Sequence, residues 1–185
     1  MSKKTAIIAL GANISLDDTP LTDHVLSIFR EFESFSPVYS SLYQTPAFPA
    51  DSGPDFINAA FQFETSLNAD DLLAWLHEIE AHFGRERITR WSARTCDLDL
   101  IFCGDDIAPD LSKWKAQAAL TNAEAQAKAP DHLILPHPRA HLRAFVLAPI
   151  LEIVPNYIHP CLGQSVQQLY NALPLAERNE IRKLT

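Results

Sequence analysis

Arg85-Glu86-Arg87-Ile88-Thr89-Arg90-Trp91-Ser92-Ala93-Arg94-Thr95-Cys96-Asp97-Leu98-Asp99, running on into Leu100-Ile101-Phe102-Cys103, is the stretch on which the reading of this chain turns. Four of the fifteen Lys and Arg residues fall within positions 85–94, although the net charge is −8. The apolar run that follows has the composition of a buried strand. Side chains at i and i+2 of a strand share a face, about 6.5 Å apart along the backbone. Asp97 and Asp99 are therefore expected to face together, with Leu98 and Leu100 turned the other way toward a core. Two carboxylates so placed suit a pair of Mg²⁺ ions roughly 3.5–4 Å apart. Mg²⁺ takes hard oxygen ligands and shares them with substrate phosphates, and the planar fork of arginine suits phosphate oxygens. An isolated Asp-x-Asp is more often part of a solvated loop. Four arginines and a strand beside it favour a polyanion held by Arg and by metal.

Working outward, the chain predicts an alternation of strands and helices. Thr5–Leu10 reads as a buried strand left by a turn at Gly11-Ala12-Asn13. A helix begins near Asp17–Pro20 and runs to about Phe32, with Leu21, Val25, Ile28, Phe29 and Phe32 on one face. Pro37–Thr45 and Phe56–Thr65 alternate as strands across a Pro- and Gly-containing loop. Asn68 is an N-cap for a helix Ala69–Phe83 that Gly84 ends. Cys96–Cys103 is then the fourth main strand. The order strand, helix, strand, strand, helix, strand is that of a ferredoxin-like α+β sandwich, a mainly antiparallel sheet with helices packed on it. Strand pairing is not readable from the pattern.

Asp105–Asp131 is alanine-rich and polar, with helix-forming composition over Ser112–Lys128, and is expected to be a helical insertion within a single domain spanning 1–185. Leu133–Pro138 reads as a short edge segment, followed by helices near His141–Ile153 and Val166–Leu173.

Composition narrows the function. The acidic balance opposes nucleic-acid and anionic-membrane binding. No apolar run approaches the ~20 residues of a membrane-spanning helix, and Ala6–Leu10 reads as a first strand, too short for a signal-peptide core. Cys96, Cys103 and Cys161 form no Cys-x-x-Cys pair, which suits reduced thiols and a cytoplasmic location. His137 and His141, with His132 nearby, hint at zinc, but no Glu follows His137 and Pro138 disfavours a helix there. Phosphate contact by His137, with His141 at the surface, is the preferred reading. An RNA-binding module would need aromatic strands and a basic sheet face. A metal-dependent hydrolase would need an activated water and no arginine loop. A chain of five glycines without Gly-x-x-x-x-Gly-Lys-Ser/Thr is not a P-loop enzyme.

Arg90-Trp91-x-x-Arg94-Thr95-x-Asp97-Leu98-Asp99-Leu100 closely resembles the signature of the hydroxymethyldihydropterin pyrophosphokinase family. Leu10-Gly11-Ala12-Asn13, Tyr43-x-Thr45-Pro46, Asp55–Ala60, Ile79-Glu80 with Gly84-Arg85-x-Arg87, and Leu135-Pro136-His137 with Arg143-x-Phe145 extend the likeness over most of the chain. The resemblance implies a ferredoxin-like fold and transfer of pyrophosphate from ATP to the hydroxymethyl group of a reduced pterin, releasing AMP. It implies that Asp97 and Asp99 hold two Mg²⁺ ions. Arg85 and Arg94 would neutralise charge at the β-phosphate, and Arg87 would grip the triphosphate. Trp91 would sit on a loop closing over the site. Glu80, Leu100, His137 and Arg143 fall at ATP-site positions. The pterin would lie between Phe56 and Phe145, its polar edge read by Asn58 and the Thr45-Pro46-Ala47-Phe48 backbone. A monomer binding only these small molecules is expected. The chain departs from the family at Ser92-Ala93, where Gly-Pro is usual, at Phe56, where Tyr is common, and at His132, Ile134 and Pro138, often Arg, Thr and Tyr. The 105–131 insertion is also longer than usual. These departures leave open a paralogue acting on another pterin, or a non-catalytic ferredoxin-like binding module.

Overall fold

The computed structural model describes residues 3–16, 19–47, 53–84, 94–121, 123–124 and 130–184. Its strands are β1 (Lys4–Ala12), β2 (Val38–Tyr39), β3 (Tyr43–Thr45), β4 (Phe56–Thr65), β5 (Asp97–Cys103) and β6 (Arg182–Lys183). They form one antiparallel sheet in the order β5-β1-β4-β3-β6, with β2 also paired to β4. Helices α1 (Leu21–Arg30) and α2 (Ala69–His82) connect strands that are not neighbours, so each crossover leaves room for a strand between. This is the ferredoxin-like arrangement expected from the element order.

Alternation along β1 and β4 builds a core on each face. Ile8, Leu10, Phe61, Leu98 and Leu100 pack with α1 and α2 residues such as Val25, Ile28, Leu72 and Leu76. On the second face, Ile7, Ala9, Ala60 and Phe102 meet α4 (Ala144–Ile153) and α5 (Val166–Ala172) through Val146, Leu147, Ile150 and Leu169. The β1–β5 register slips between Ile7 and Ile8, which pair with Phe102 and Leu100. Ile101 is the extra residue of this bulge, and both it and Phe102 serve the second core.

Three expectations are corrected, and two short elements are added. The strand over Pro37–Thr45 is two pieces. Tyr39 pairs with Phe61 but Tyr43 with Asn58, leaving three residues opposite two. Ser40 bridges the gap: its N–H donates to Ala60 O at 2.8 Å and its hydroxyl accepts from Ala60 N at 2.9 Å. In the stretch expected as one helix over Ser112–Lys128, α3 is Leu111–Ala118 and the chain leaves helix at 119–121, with helix again at 123–124 among the described residues. Trp114 is the single buried residue of α3 and anchors it. The segment before α4 begins as a 3-10 turn, Ala140–Leu142. After α5 come α6 (Leu175–Asn179) and β6, whose two residues pair with β3. Among the described residues no helix is long and apolar enough to cross a membrane.

Candidate active site

The second face of the sheet changes character toward the end of β1. Asp97 pairs across β1 with Gly11, which pairs with Asn58, which pairs with Tyr43. Asp99, Ala9 and Ala60 form the next row. Register places Asp97, Asp99, Gly11, Asn58, Phe56 and Thr45 on one face, beyond the apolar rows that α4 covers. Leu98 and Leu100 point into the opposite core, as expected.

β5 is an edge strand, and two of its outward main-chain groups have partners from other elements. Glu80, buried on α2, accepts from Leu98 N–H at 2.8 Å. The N–H of His137 donates to Ile101 O at 2.9 Å and lays the 133–138 segment along the same edge. Glu80 was read as an ATP-site residue; its observed contact braces the strand that carries the two aspartates. The Asn68 side chain caps α2 at Asp71 N, 2.9 Å away, fixing the helix that delivers Glu80.

Arg94 pairs through Nη1 with Asp97 Oδ2. Its backbone is clamped by Asn13, whose Oδ1 accepts from Arg94 N at 2.7 Å and whose own N–H donates to Arg94 O at 2.9 Å. Asn13 Nδ2 also donates to Pro54 O. His24, buried on α1, bonds through Nε2 to Thr95 O at 2.7 Å. Neither Asn13 nor His24 was singled out as a site residue. Asn13 stood in a quoted motif, whereas nothing local marks His24, whose partner lies 71 residues away.

Charges converge beside the aspartates. Arg143 lies in the field of Asp99, Asp97, Arg139 and Arg94. Burial, with Arg139 and Arg94, lowers its pKa against the pull of the two aspartates. His137 is pushed down to about 3, first by burial and then by Arg143 and Arg139, while Asp97 pulls it up. His137 is therefore neutral at physiological pH, able to donate or accept a hydrogen bond without adding charge. Arg139, absent from the expected set, joins the group from the residue after Pro138. His141 is not at the surface as expected: it is half-buried, with its ring 5.9 Å from Trp114 and 5.9 Å from His159.

A cleft of about 430 Å³ opens at this edge, within the range of small-molecule sites. Asp99, Leu100, Leu73 of α2, Gln117 of α3 and the 130–139 segment line it. On the Asn58 side, Asn58 Nδ2 donates to Thr45 Oγ1 at 2.8 Å in a buried pair. Gly11 allows a close approach, since a Cβ there would stand 3.3 Å from Asn58 Oδ1 and force that amide to give way. Phe56 is half-buried, Pro46 is exposed, and Phe145 is 40% exposed with the Arg143 guanidinium carbon 5.8 Å from its ring centre. Phe48, Arg85, Arg87 and Trp91 lie outside the described residues.

The donor set fits magnesium in chemistry: two carboxylates on one strand face, with guanidinium groups positioned for a polyphosphate. It also contains a neutral imidazole and a buried amide, groups suited to orienting a polar heterocycle.

Comparison with known proteins agrees. Residues 7–155 match the family model described as 7,8-dihydro-6-hydroxymethylpterin-pyrophosphokinase. A 2-amino-4-hydroxy-6-hydroxymethyldihydropteridine pyrophosphokinase of Synechocystis is 34% identical over 168 residues, covering 89% of this chain and 73% of the relative. The enzyme of the same name from Bacillus subtilis is 34% identical over 148 residues, covering 80% and 77%. Among solved structures, the wild-type HPPK-DHPS of Plasmodium falciparum with STZ-DHP superposes with a TM-score of 0.63 at 15% identity. That match covers 92% of this chain but 43% of the fused chain, and it speaks for the fold alone. By its family match and by these relatives, the chain belongs to the 7,8-dihydro-6-hydroxymethylpterin-pyrophosphokinase family.

Proposed function

We propose that the chain carries out its family's reaction, transfer of pyrophosphate from ATP to the hydroxymethyl group of 6-hydroxymethyl-7,8-dihydropterin with release of AMP, a step in folate biosynthesis. The observation that carries this reading is the register of β5. It sets Asp97 and Asp99 on the face that also bears Gly11, Asn58 and Thr45, so a metal–phosphate subsite adjoins a polar pocket for a heterocycle.

In this reading Asp97 and Asp99 hold two Mg²⁺ ions. Bound there, the ions would neutralise the phosphates and polarise the β-phosphorus toward attack. The substrate hydroxyl oxygen attacks the β-phosphorus and gives up its proton to solvent, the bond from the β-phosphorus to the oxygen bridging it to the α-phosphate breaks, and AMP departs with that oxygen. Such a step asks the protein for positioning and electrostatic stabilisation. Arg94 supplies a guanidinium that exchanges its Asp97 partner for phosphate oxygens. Arg143 and neutral His137 orient the triphosphate. Arg85, Arg87 and Trp91 join them on the strength of sequence likeness alone. Asn58, pre-set by Thr45, hydrogen-bonds the pterin edge beside the Pro46–Phe48 backbone, and Phe56 and Phe145 flank its faces. Leu100 forms apolar wall on the nucleotide side, and Glu80 holds β5 in register. A monomer working in the cytoplasm fits three cysteines that form no disulfide and a site built from a single chain.

The test is AMP release from ATP with a panel of reduced pterins. AMP formed with the hydroxymethyl pterin, and abolished by Asp97→Ala in a folded protein, supports the assignment. ADP or free phosphate as product, or near-parental turnover in Asp97→Ala, overturns it.

A further inference from the structure

The cleft beside Asp99 has an outer wall that comes from the inserted helix. Asp110 caps α3 by accepting from Lys113 N at 2.9 Å. One turn on, Trp114 is buried and its Nε1–H donates to Pro136 O at 2.8 Å. The rings of His141 and His159 flank it, 5.9 and 5.3 Å away. Pro136 directly precedes His137, so one indole ties the insertion to the segment that lines the cleft. Gln117 follows Trp114 by three residues, a neighbouring position on the helix surface, and reaches the cleft.

The lining divides by chemistry. Asp99 and Arg139, with the neutral imidazole of His137 beside them, make a polar end suited to phosphates and metal, while Leu73, Leu100 and Ile134 offer apolar surface for a flat ring. Gln117 is the amide of the lining and is half-buried, whereas Asp131 and His132 stand exposed. A primary amide carries a donor and an acceptor in one plane. That pattern matches the adjacent amino group and ring nitrogen of adenine, while guanine presents two acceptors at the corresponding edge.

We infer that Gln117, held in place by the Trp114 strut, reads the purine of the nucleotide and makes this insertion-bearing chain select adenine over guanine. The inference rests on the nucleotide reading of the cleft, so its test is binding and does not depend on turnover. Isothermal titration of the full chain with Mg·ATP and with Mg·GTP gives a ratio of dissociation constants. The parent is expected to prefer ATP, and Gln117→Ala to lower that ratio about tenfold, the lower range for one bidentate amide–adenine pair. Gln117→Glu keeps the length of the side chain but removes the donor, and is expected to lower the ratio at least as far. Thermal melting establishes that each variant is folded. A parent without preference for ATP, or a parental ratio in either variant, overturns the role of Gln117. A chain that selects ATP through Gln117 yet releases no AMP leaves this inference standing and strikes the assigned reaction instead.

Discussion

Replacing Gly11 by alanine separates the pterin pocket from the stability of the sheet. Gly11 sits in β1 between Asn58 and Asp97, and its backbone is not in the left-handed region, so alanine is tolerated there by the main chain. The added methyl would stand 3.3 Å from Asn58 Oδ1 and 4.0 Å from Phe56 Cδ1. The first contact is too close by a few tenths of an ångström, and the amide must yield. Asn58 can do so only by stretching the 2.8 Å bond to Thr45 Oγ1. A weakened neutral hydrogen bond costs about 1 kcal/mol, and the stiffer unfolded chain of the alanine variant returns about 0.4–1 kcal/mol. The two nearly cancel, so Tm should move by no more than about 2 °C. Function should not cancel. Displacing the amide that orients the pterin removes one hydrogen bond's worth of binding, and KM for the pterin should rise about tenfold. KM for ATP should hold, because neither Asp97 nor Asp99 meets the new methyl. Steady-state AMP release, varying each substrate against saturation in the other, reads both constants. A folded variant with parental KM for the pterin, or one whose ATP constant rises instead, would refute the reasoning.

Arg94→Ala should lower kcat about a hundredfold or more, the range for one preorganised charge-stabilising donor, with a smaller change in ATP affinity. Asn13 still holds the backbone, so an unchanged kcat in rapid-quench measurements would remove Arg94 from the reacting centre. Glu80→Ala should destabilise by about 1–3 kcal/mol, leaving the buried Leu98 N–H without its acceptor, while Glu80→Gln retains a carbonyl and recovers most of this in urea denaturation. Equal losses in the two variants would deny the acceptor role. Glu152 joins α4 to β3 and β6. Burial would raise its pKa, but bonds from Lys183 Nζ, Ser41 N–H, Tyr43 O–H and Ser41 O–H hold it down at about 2. Its contribution is complete above its ordinary 4.5 and is lost as pH falls through about 2. Glu152→Gln should therefore cost about 1 kcal/mol at pH 7, after allowance for screening, and the gap from the parent should close between about pH 5 and pH 2. A gap independent of pH would place the effect elsewhere than the carboxylate.

Local signals reported themselves accurately where side-chain period or capping alone decided the outcome. Phe56–Thr65 alternates and is β4 with those bounds. Asn68 caps α2, and Gly84 follows its end at a φ of +71°. Asp97 and Asp99 share a face because Leu98 and Leu100 claim the other. What escaped sequence reading depends on partners distant in the chain. Ser40 breaks a strand because its hydroxyl finds Ala60 N. The helix-forming run 112–128 is not one continuous helix: α3 ends at Ala118, and among the described residues helix is seen again only at 123–124. Arg182–Lys183 becomes a strand because β3 offers an edge, a fact no two charged residues advertise. His24 looks like a surface residue of an amphipathic helix and Glu80 was expected at the ATP site by resemblance, yet both are buried on main-chain partners of the central stretch.

Those last two residues bear on why this fold suits the chemistry. The aspartates lie on one face of β5, while Glu80, from the helix layer packed on the opposite face, holds the strand's backbone. His24 secures Thr95 from that same layer, and Asn13 secures Arg94 from the end of β1. Three polar side chains, each nearly or fully buried, are thus committed to fixing main chain within four residues of Asp97 or Asp99, and none of the three supplies the carboxylates or guanidinium they position. A reaction whose barrier is lowered mainly by fixed charge geometry gains more from rigidity of this kind than from additional reactive groups. Damage to the layer behind the sheet should therefore lower activity before it unfolds the protein, because a strand displaced by a few tenths of an ångström still packs but no longer presents its charges at the required separation.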